Sequence, residues 1–258
     1  MVTKFREAFA ISDIHGCSLE FLEMLNNWDR DKQLLVLCGD YIDRGDESRE
    51  VLDIICDLKM EYGDQVVVIR GNHDQMLLDF IEEEQNEYTI NRWLASGGGN
   101  TLSSYFNNMP QEERSKHRLS SFYHFTSICI QKKYRHHIEL LRASKPYYEF
   151  GDVLFTHAGI QSLYGEDWKK TTDHEFMWIR DWYKQENLTG KVIVFGHTPT
   201  CYLPFRDHNS PNFDVWVHDR KKLIGIDGGC CFEGQLNAIT ITNKGEFNIV
   251  EPVKQKIV

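Results

Sequence analysis

Three times in the first third of the chain a short apolar run breaks off into a polar cluster, and a segment with helical spacing follows. "EAFAIS" ends in "DIHG" and leads into "SLEFLEMLNNW", where Leu19, Leu22, Leu25 and Trp28 recur along one side of a predicted helix. "QLLVLC" ends in "GDYIDRG" and leads into "ESREVLDIICDLK", with Val51, Ile54, Ile55 and Leu58 at the same kind of spacing. "QVVVIR" ends in "GNHD" and leads into "QMLLDFIEEE". This β-α-β-α-β-α order predicts a parallel sheet covered by helices. Ligands of such sheets bind beyond the carboxyl ends of the strands, which is where all three polar clusters fall.

The pattern changes over about residues 88 to 146. "INRWLASGGGNTL" carries three glycines, and the rest, up to "LLRASKP", reads as helical and mixed in charge. With few strand signals, it is expected to be a helical insertion within a single domain spanning 1–258. Strand signals return in "VLFTHAG", "KVIVFGHT", "DVWVHD", "KLIGIDGG", "LNAITIT" and "EFNIVE". These runs are short and joined by turns, and predict a second sheet, mixed or antiparallel. The expected fold class is α/β (α+β): two packed mixed β-sheets flanked by helices.

Composition narrows the possibilities without changing the architecture. At 41% hydrophobic and 26% charged, the 258 residues have the balance of an ordinary soluble domain. No apolar run approaches the roughly 20 residues that span a bilayer, and the N-terminal apolar stretch is too short for a signal peptide. The seven cysteines form no CxxC pair, which suits reduced thiols in a cytoplasmic protein and argues against a zinc–thiolate site, although one disulfide stays possible. A formal net charge of -10 works against binding a nucleic-acid backbone, so neither nucleic acid nor membrane is an expected partner. Bound cations do not enter that count, so a phosphorylated substrate stays open.

The candidate chemistry sits just after the apolar strands: Asp13 and His15, Asp40 and Asp43, Asn72 and His73, His157, His197. Singly, each reads as a cap or a turn. Jointly, five strand ends present His or Asp, most of them beside Gly, and glycine leaves room for a close approach. Carboxylate, imidazole and amide oxygen together suit divalent ions such as Mn²⁺, Fe²⁺ or Zn²⁺. One Asp can bridge two ions, and an ion pair can activate a water and clamp a phosphoryl group.

Taken in order, "SDIHG", "GDYIDRG", "RGNHD", "THAG" and "FGHT" resemble the signature blocks of the phosphoprotein phosphatases, calcineurin-like metallophosphoesterases of the bacterial and phage branch; "NRWLASGGG" resembles that branch too. The resemblance implies roles. Asp13 and His15 hold a first metal, Asp40 bridges, and Asn72, His157 and His197 complete a second, with manganese the expected ion and iron or zinc the alternatives. His73 is the general acid, oriented by Asp43, and Arg44 grips the phosphate. Arg180, in "FMWIRDWY", is the best match for a second phosphate-binding arginine; stacking on an aromatic surface is the lesser alternative. The reaction implied is hydrolysis of phosphomonoesters, phosphoserine or phosphothreonine in proteins foremost, by direct attack of a hydroxide bridging the metals.

Departures from the pattern keep alternatives open. Ser12 stands where the family has Gly, and Asp74 closes the third block where protein phosphatases mostly have Glu. "GNHD", and "GCC" in "IDGGCCFEGQL", resemble the sister group of symmetrical diadenosine tetraphosphatases, whereas Asp43 is more typical of phosphoprotein phosphatases. Cys230 and Cys231 also read simply as small residues buried beside a turn. A third reading, a scaffold that has lost its metals, fits poorly because every ligand position is filled. The substrate is thus a phosphorylated protein or a small phosphoester, and the oligomeric state is left open.

Overall fold

The computed structural model describes residues 4–82, 87–106, 119–204 and 212–255. Strands β1 (Glu7–Ile11), β2 (Gln33–Leu37) and β3 (Val66–Val68) run parallel in that spatial order, with Phe9 opposite Leu35 and Leu35 opposite Val66. Helices α1 (Ser18–Leu25) and α2 (Ser48–Tyr62) are the crossovers, and α3 (Asn72–Glu82) leaves β3. Every residue of β2 is buried, which is why these strands read as unbroken apolar runs rather than alternating ones.

The second sheet contains β4 (Tyr147–Phe150), β5 (Val153–Thr156), β6 (Val192–Phe195), β7 (Trp216–His218) and β8 (Leu223–Gly225) in the order β4-β5-β6-β8-β7. Its centre, β5-β6-β8, is parallel, and β4 and β7 are antiparallel edges. After the short β9 (Gln235–Leu236), the last two long strand signals do not join this sheet. Strand β10 (Ala238–Thr242) lies antiparallel on β1, and β11 (Phe247–Ile249) antiparallel on β10, so the first sheet is β11-β10-β1-β2-β3. The open edge of β1 explains the difference: a strand buried from Ala8 to Ile11 needs a partner on both sides, and a returning hairpin supplies one. A small ribbon pairs β12 (Val253–Lys254) with β9.

Period-two alternation decides which layer each strand residue fills. Ala8, Ala10, Leu34, Val36 and Val67 turn towards the second sheet and pack with Phe150, Phe155, Val194 and Ile224. Phe9, Ile11, Leu35, Leu37 and Val66 turn the other way, onto α1 to α3. The α1 stripe differs from the one expected. Leu19 and Leu22 are each 47% exposed, whereas Phe21, Met24, Leu25 and Trp28 are buried. Two stripes compete on this helix, and the one carrying the larger side chains at i, i+3, i+4 and i+7 faces the sheet.

Between β3 and β4 lie α4 (Glu87–Trp93), a wide turn over Leu94–Gly98, α5 (Gly99–Phe106), α6 (Leu119–Lys133) and α7 (Arg135–Ala143). Between β5 and β6, helix α8 (Asp173–Trp178) is started by Thr172, which exchanges capping hydrogen bonds with Glu175. Among the described residues no helix is long and apolar enough to cross a membrane.

Candidate active site

The carboxyl ends of the parallel strands from both sheets meet in one place. Asp13 follows β1, Asp40 follows β2, Asn72 follows β3, His157 follows β5, His197 follows β6 and Asp227 follows β8. All six are buried. The backbone here is held in an uncommon conformation. Asp13, His15, Asp40, Asp43, Arg44 and His197 have φ between +45° and +72°, six of the nine non-glycine residues with positive φ among those described. Asp and His tolerate this region better than most side chains, and at roughly 1–2 kcal/mol each the surrounding structure must hold them there.

Two triads share Asp40. Its Oδ2 lies 3.5 Å from Nε2 of His15, 3.4 Å from Nε2 of His157 and 4.0 Å from Nε2 of His73. His157 and His197 complete the second triad. The ring orientations expose lone pairs to this centre: Nδ1–H of His15 donates to the Ile42 carbonyl at 2.7 Å, and Nδ1–H of His157 to the Cys38 carbonyl at 2.8 Å, leaving both Nε2 atoms as acceptors. Nε2 of His157 then faces Oδ1 of Asn72, another acceptor, at 3.0 Å. Nε2 of His197 is buried with no hydrogen-bond partner. The guanidinium of Arg44 lies against Nε2 of both His15 and His73, so a cation already fills part of the space these lone pairs surround. Opposed acceptors and an orphaned imidazole nitrogen fit divalent ions, which these residues could hold.

The electrostatics agree. Burial pushes Asp13 well above the usual carboxyl range and the neighbouring Asp227 adds to it; burial likewise carries Asp227 up to about 6. Two neighbouring buried acids favour a positive charge nearby. Burial opposes the ionised form of Asp40 as well, but His157, His73 and His15 together draw it well below its ordinary value. Burial opposes the charged form of His157 too, yet Asp40 brings that imidazole up to about 9, so its Nε2 lone pair favours a cation, whether a proton or a metal ion. His15 is lowered by burial and Arg44, and His197 by burial, His157 and Arg180, which keeps both neutral and able to ligate.

Beside these triads stands a second arrangement. Nδ1–H of His73 donates to Oδ2 of Asp43 at 2.7 Å. Arg44 donates to Nε2 of the same ring at 2.9 Å, and its own backbone N–H is fixed by the Gly97 carbonyl. Arg180 is exposed at the rim, close enough to lower the proton affinity of His197. The aromatic stacking open to Arg180 is made instead by Arg92, whose guanidinium lies 4.6 Å over Trp178.

Two residues of the opening of α3 act otherwise than their turn-like chemistry suggests. Gly71 has no positive φ; its role is space, since a Cβ there would lie 2.1 Å from Oδ1 of Asp40. Asp74 touches only backbone, accepting from Asp40 N at 2.9 Å, Tyr41 N at 3.1 Å and Gly71 N at 2.8 Å. Burial and the Asp40 charge push Asp74 up to about 7, against the pull of those amides; three amide donors on two oxygens favour the ionised carboxylate.

Sequence reasoning left out Asp227, though it lies in the "IDGG" run, and also Trp93 and Thr101, which both reach Asp43. It also missed that Cys17 and Cys230 meet beside Glu20 in a buried group, with all seven thiols free. A group of Cys56, His136 and His137 lies elsewhere, on α2 and α7, and there both nitrogens of His137 are already bonded, to Tyr105 and Asp53. An open groove of about 840 Å³ along β3, lined by Lys59, Lys145 and Tyr148 among others, contains none of the residues named for the chemistry.

Known proteins resemble this chain along most of its length. The symmetrical bis(5'-nucleosyl)-tetraphosphatase of Wigglesworthia glossinidia brevipalpis is 25% identical, covering 93% of this chain and 98% of its own. Serine/threonine-protein phosphatase 1 of Salmonella typhimurium is 27% identical over 76% of this chain and 80% of its own. In structure, a protein serine/threonine phosphatase from Saccharomyces cerevisiae superposes with a TM-score of 0.61 over 99% of this chain and 82% of its own, at 14% identity, a likeness of fold. The model of the calcineurin-like phosphoesterases matches residues 8–205, and the chain belongs to that family.

Proposed function

We propose that this protein is a metal-dependent phosphatase of phosphomonoesters, with phosphoserine and phosphothreonine in proteins as its substrate class. The observation that carries the reading is the Asp43–His73 pair, with Arg44 at its side, set against the triads that share Asp40. Asp13, His15 and Asp40 would hold one divalent ion, and Asp40, Asn72, His157 and His197 another. When bound, the ions supply positive charge for the phosphoryl oxygens and make a water acidic enough to react at neutral pH.

The chain's own residues do the rest. Arg44 grips the phosphoryl oxygens through its planar fork, and Arg180 adds charge from the rim. As water attacks phosphorus and the ester bond breaks, Arg44 turns from Nε2 of His73 to the phosphoryl oxygens, which frees that nitrogen to carry the proton it gives to the departing oxygen, while Asp43 accepts from Nδ1–H and holds the ring. A seryl or threonyl alkoxide is a poor leaving group and needs that proton. A nucleoside diphosphate leaves as a stabilised anion and needs it far less. A carboxylate-backed His73 therefore favours the phosphomonoester.

Hydrolysis of dinucleoside tetraphosphates is the second reading, supported by the relative with that name, which matches over almost the whole length of both chains. Turnover of a phosphoserine peptide and of diadenosine tetraphosphate, measured side by side with added Mn²⁺, tests the choice. The expected result is a kcat/KM at least tenfold higher for the peptide; the reverse order overturns the first reading in favour of the second.

A further inference from the structure

We infer that Trp93 and Thr101, from the helical insertion, are positioning residues that lock the Asp43 carboxylate and through it aim His73. Asp43 is completely buried, and both of its oxygens are occupied. Oδ1 accepts from Thr101 Oγ1–H at 2.6 Å and from the Trp93 indole N–H at 3.1 Å; Oδ2 accepts from the same N–H at 3.0 Å and from His73 at 2.7 Å. A carboxylate gripped this way cannot rotate about its terminal torsion without losing a bond. With His73 as its sole partner it could swing, and the far nitrogen of the imidazole would swing with it.

The grip is itself anchored. Trp93 is 1% exposed, and its indole packs on Phe80 with ring centroids 4.6 Å apart. Phe80 lies on α3, the helix that begins beside His73, so one aromatic contact ties the insertion to the element bearing the acid. On its other side the indole meets the backbone of Gly98, where an added Cβ would lie 2.5 Å away. Thr101 also accepts from the Asp43 backbone N–H at 3.0 Å, as does Ser48, which steadies a residue held at φ +72°. The "NRWLASGGGNT" stretch thus has a physical reason: the wide turn across its glycines brings position 93 and position 101, eight apart, onto one carboxylate. Asn100 extends the same turn to the next residue, donating to the Arg44 carbonyl at 2.6 Å.

This inference rests on His73 acting as proton donor, and the test separates the two. Trp93→Phe keeps the ring and removes the N–H; Thr101→Val keeps the shape and removes the O–H; Thr101→Ser restores the hydroxyl. The full-length chain with Mn²⁺ is assayed on a phosphoserine peptide, whose leaving oxygen needs a proton, and on dinitrophenyl phosphate, whose leaving oxygen does not. Losing one hydrogen bond to a buried charge predicts a kcat about tenfold lower on the peptide for Trp93→Phe and Thr101→Val. KM and metal content should hold, dinitrophenyl phosphate should lose less than about threefold, and Thr101→Ser should recover most of the difference. Equal losses on both substrates, or none, overturn the inference if His73→Asn is itself selective for the peptide. A His73→Asn variant that loses equally on both substrates overturns the proton-donor reading, and this inference with it. Should Trp93→Phe fail to fold, the threonine pair decides.

Discussion

Asp74 offers the most direct test of how this site is built. Its carboxylate closes three buried amides that would otherwise be orphaned: Asp40 N and Gly71 N on Oδ2, and Tyr41 N on Oδ1. In Asp74→Asn the carboxamide oxygen can serve two of these donors, but its NH₂ then faces the third. That change removes one hydrogen bond to a charged acceptor, worth about 1.5–3 kcal/mol, and weakens the other two by taking away their charge assistance. The sum is about 3 kcal/mol, and at this chain length about 2–4 °C of Tm per kcal/mol makes it a fall of about 6–12 °C. Urea unfolding followed by circular dichroism measures it, alongside Mn²⁺ content, which should drop because the Asp40 backbone is no longer pinned. Because Asp74 is fully buried and bonded only to backbone, the ratio of peptide to dinucleotide turnover should stay unchanged. A variant within about 0.5 kcal/mol of the parent would refute the argument that Asp74 is a brace; a shifted substrate ratio would refute its confinement to that role.

Two further outcomes follow from other parts of the fold. Gly71→Ala should cost about 3 kcal/mol or more and lower metal retention, since its Cβ would lie 2.1 Å from Oδ1 of Asp40 and the loops cannot separate cheaply; unaltered melting and metal content would count against that close approach. His137, bonded to Tyr105 at 2.8 Å and Asp53 at 2.9 Å, is brought by burial from 6.5 to about 4, with His136 and Arg49 adding to the effect and Asp53 opposing it. The unfolded chain therefore takes up this proton first, so stability is full above pH 6.5 and falls as the pH drops towards 4. The loss is on the order of 2–3 kcal/mol, read as the difference in urea midpoint between the native chain and His137→Leu across that window; parallel pH profiles would show that His137 contributes nothing.

The sequence by itself determined the strands, the helices between them and the residues that end the parallel strands. That information is local: an unbroken apolar run marks a buried parallel strand, and Asp, His or Asn directly after it must stand at the sheet's carboxyl edge. Asp13, His15, Asp40, Asn72, His157 and His197 were therefore legible, as was the pairing of Asp43 with His73 through the family resemblance. What the tertiary structure alone decided depends on contacts between distant segments. The hairpin β10–β11 joined the first sheet because the edge of β1 was open, a fact about sheet order that no local pattern carries. On α1, Phe21 displaced Leu19 from the core because two stripes of similar periodicity competed, and only packing against the sheet could choose. Asp74 read as a departure that bears on substrate class, and the structure adds its role as a clasp between two loops. The "SGGG" stretch stood out only as three glycines in a helical segment, and folding turned it into the bend that sets Trp93 and Thr101 on Asp43, because a hydrogen bond between residues fifty positions apart leaves no periodic trace along the chain.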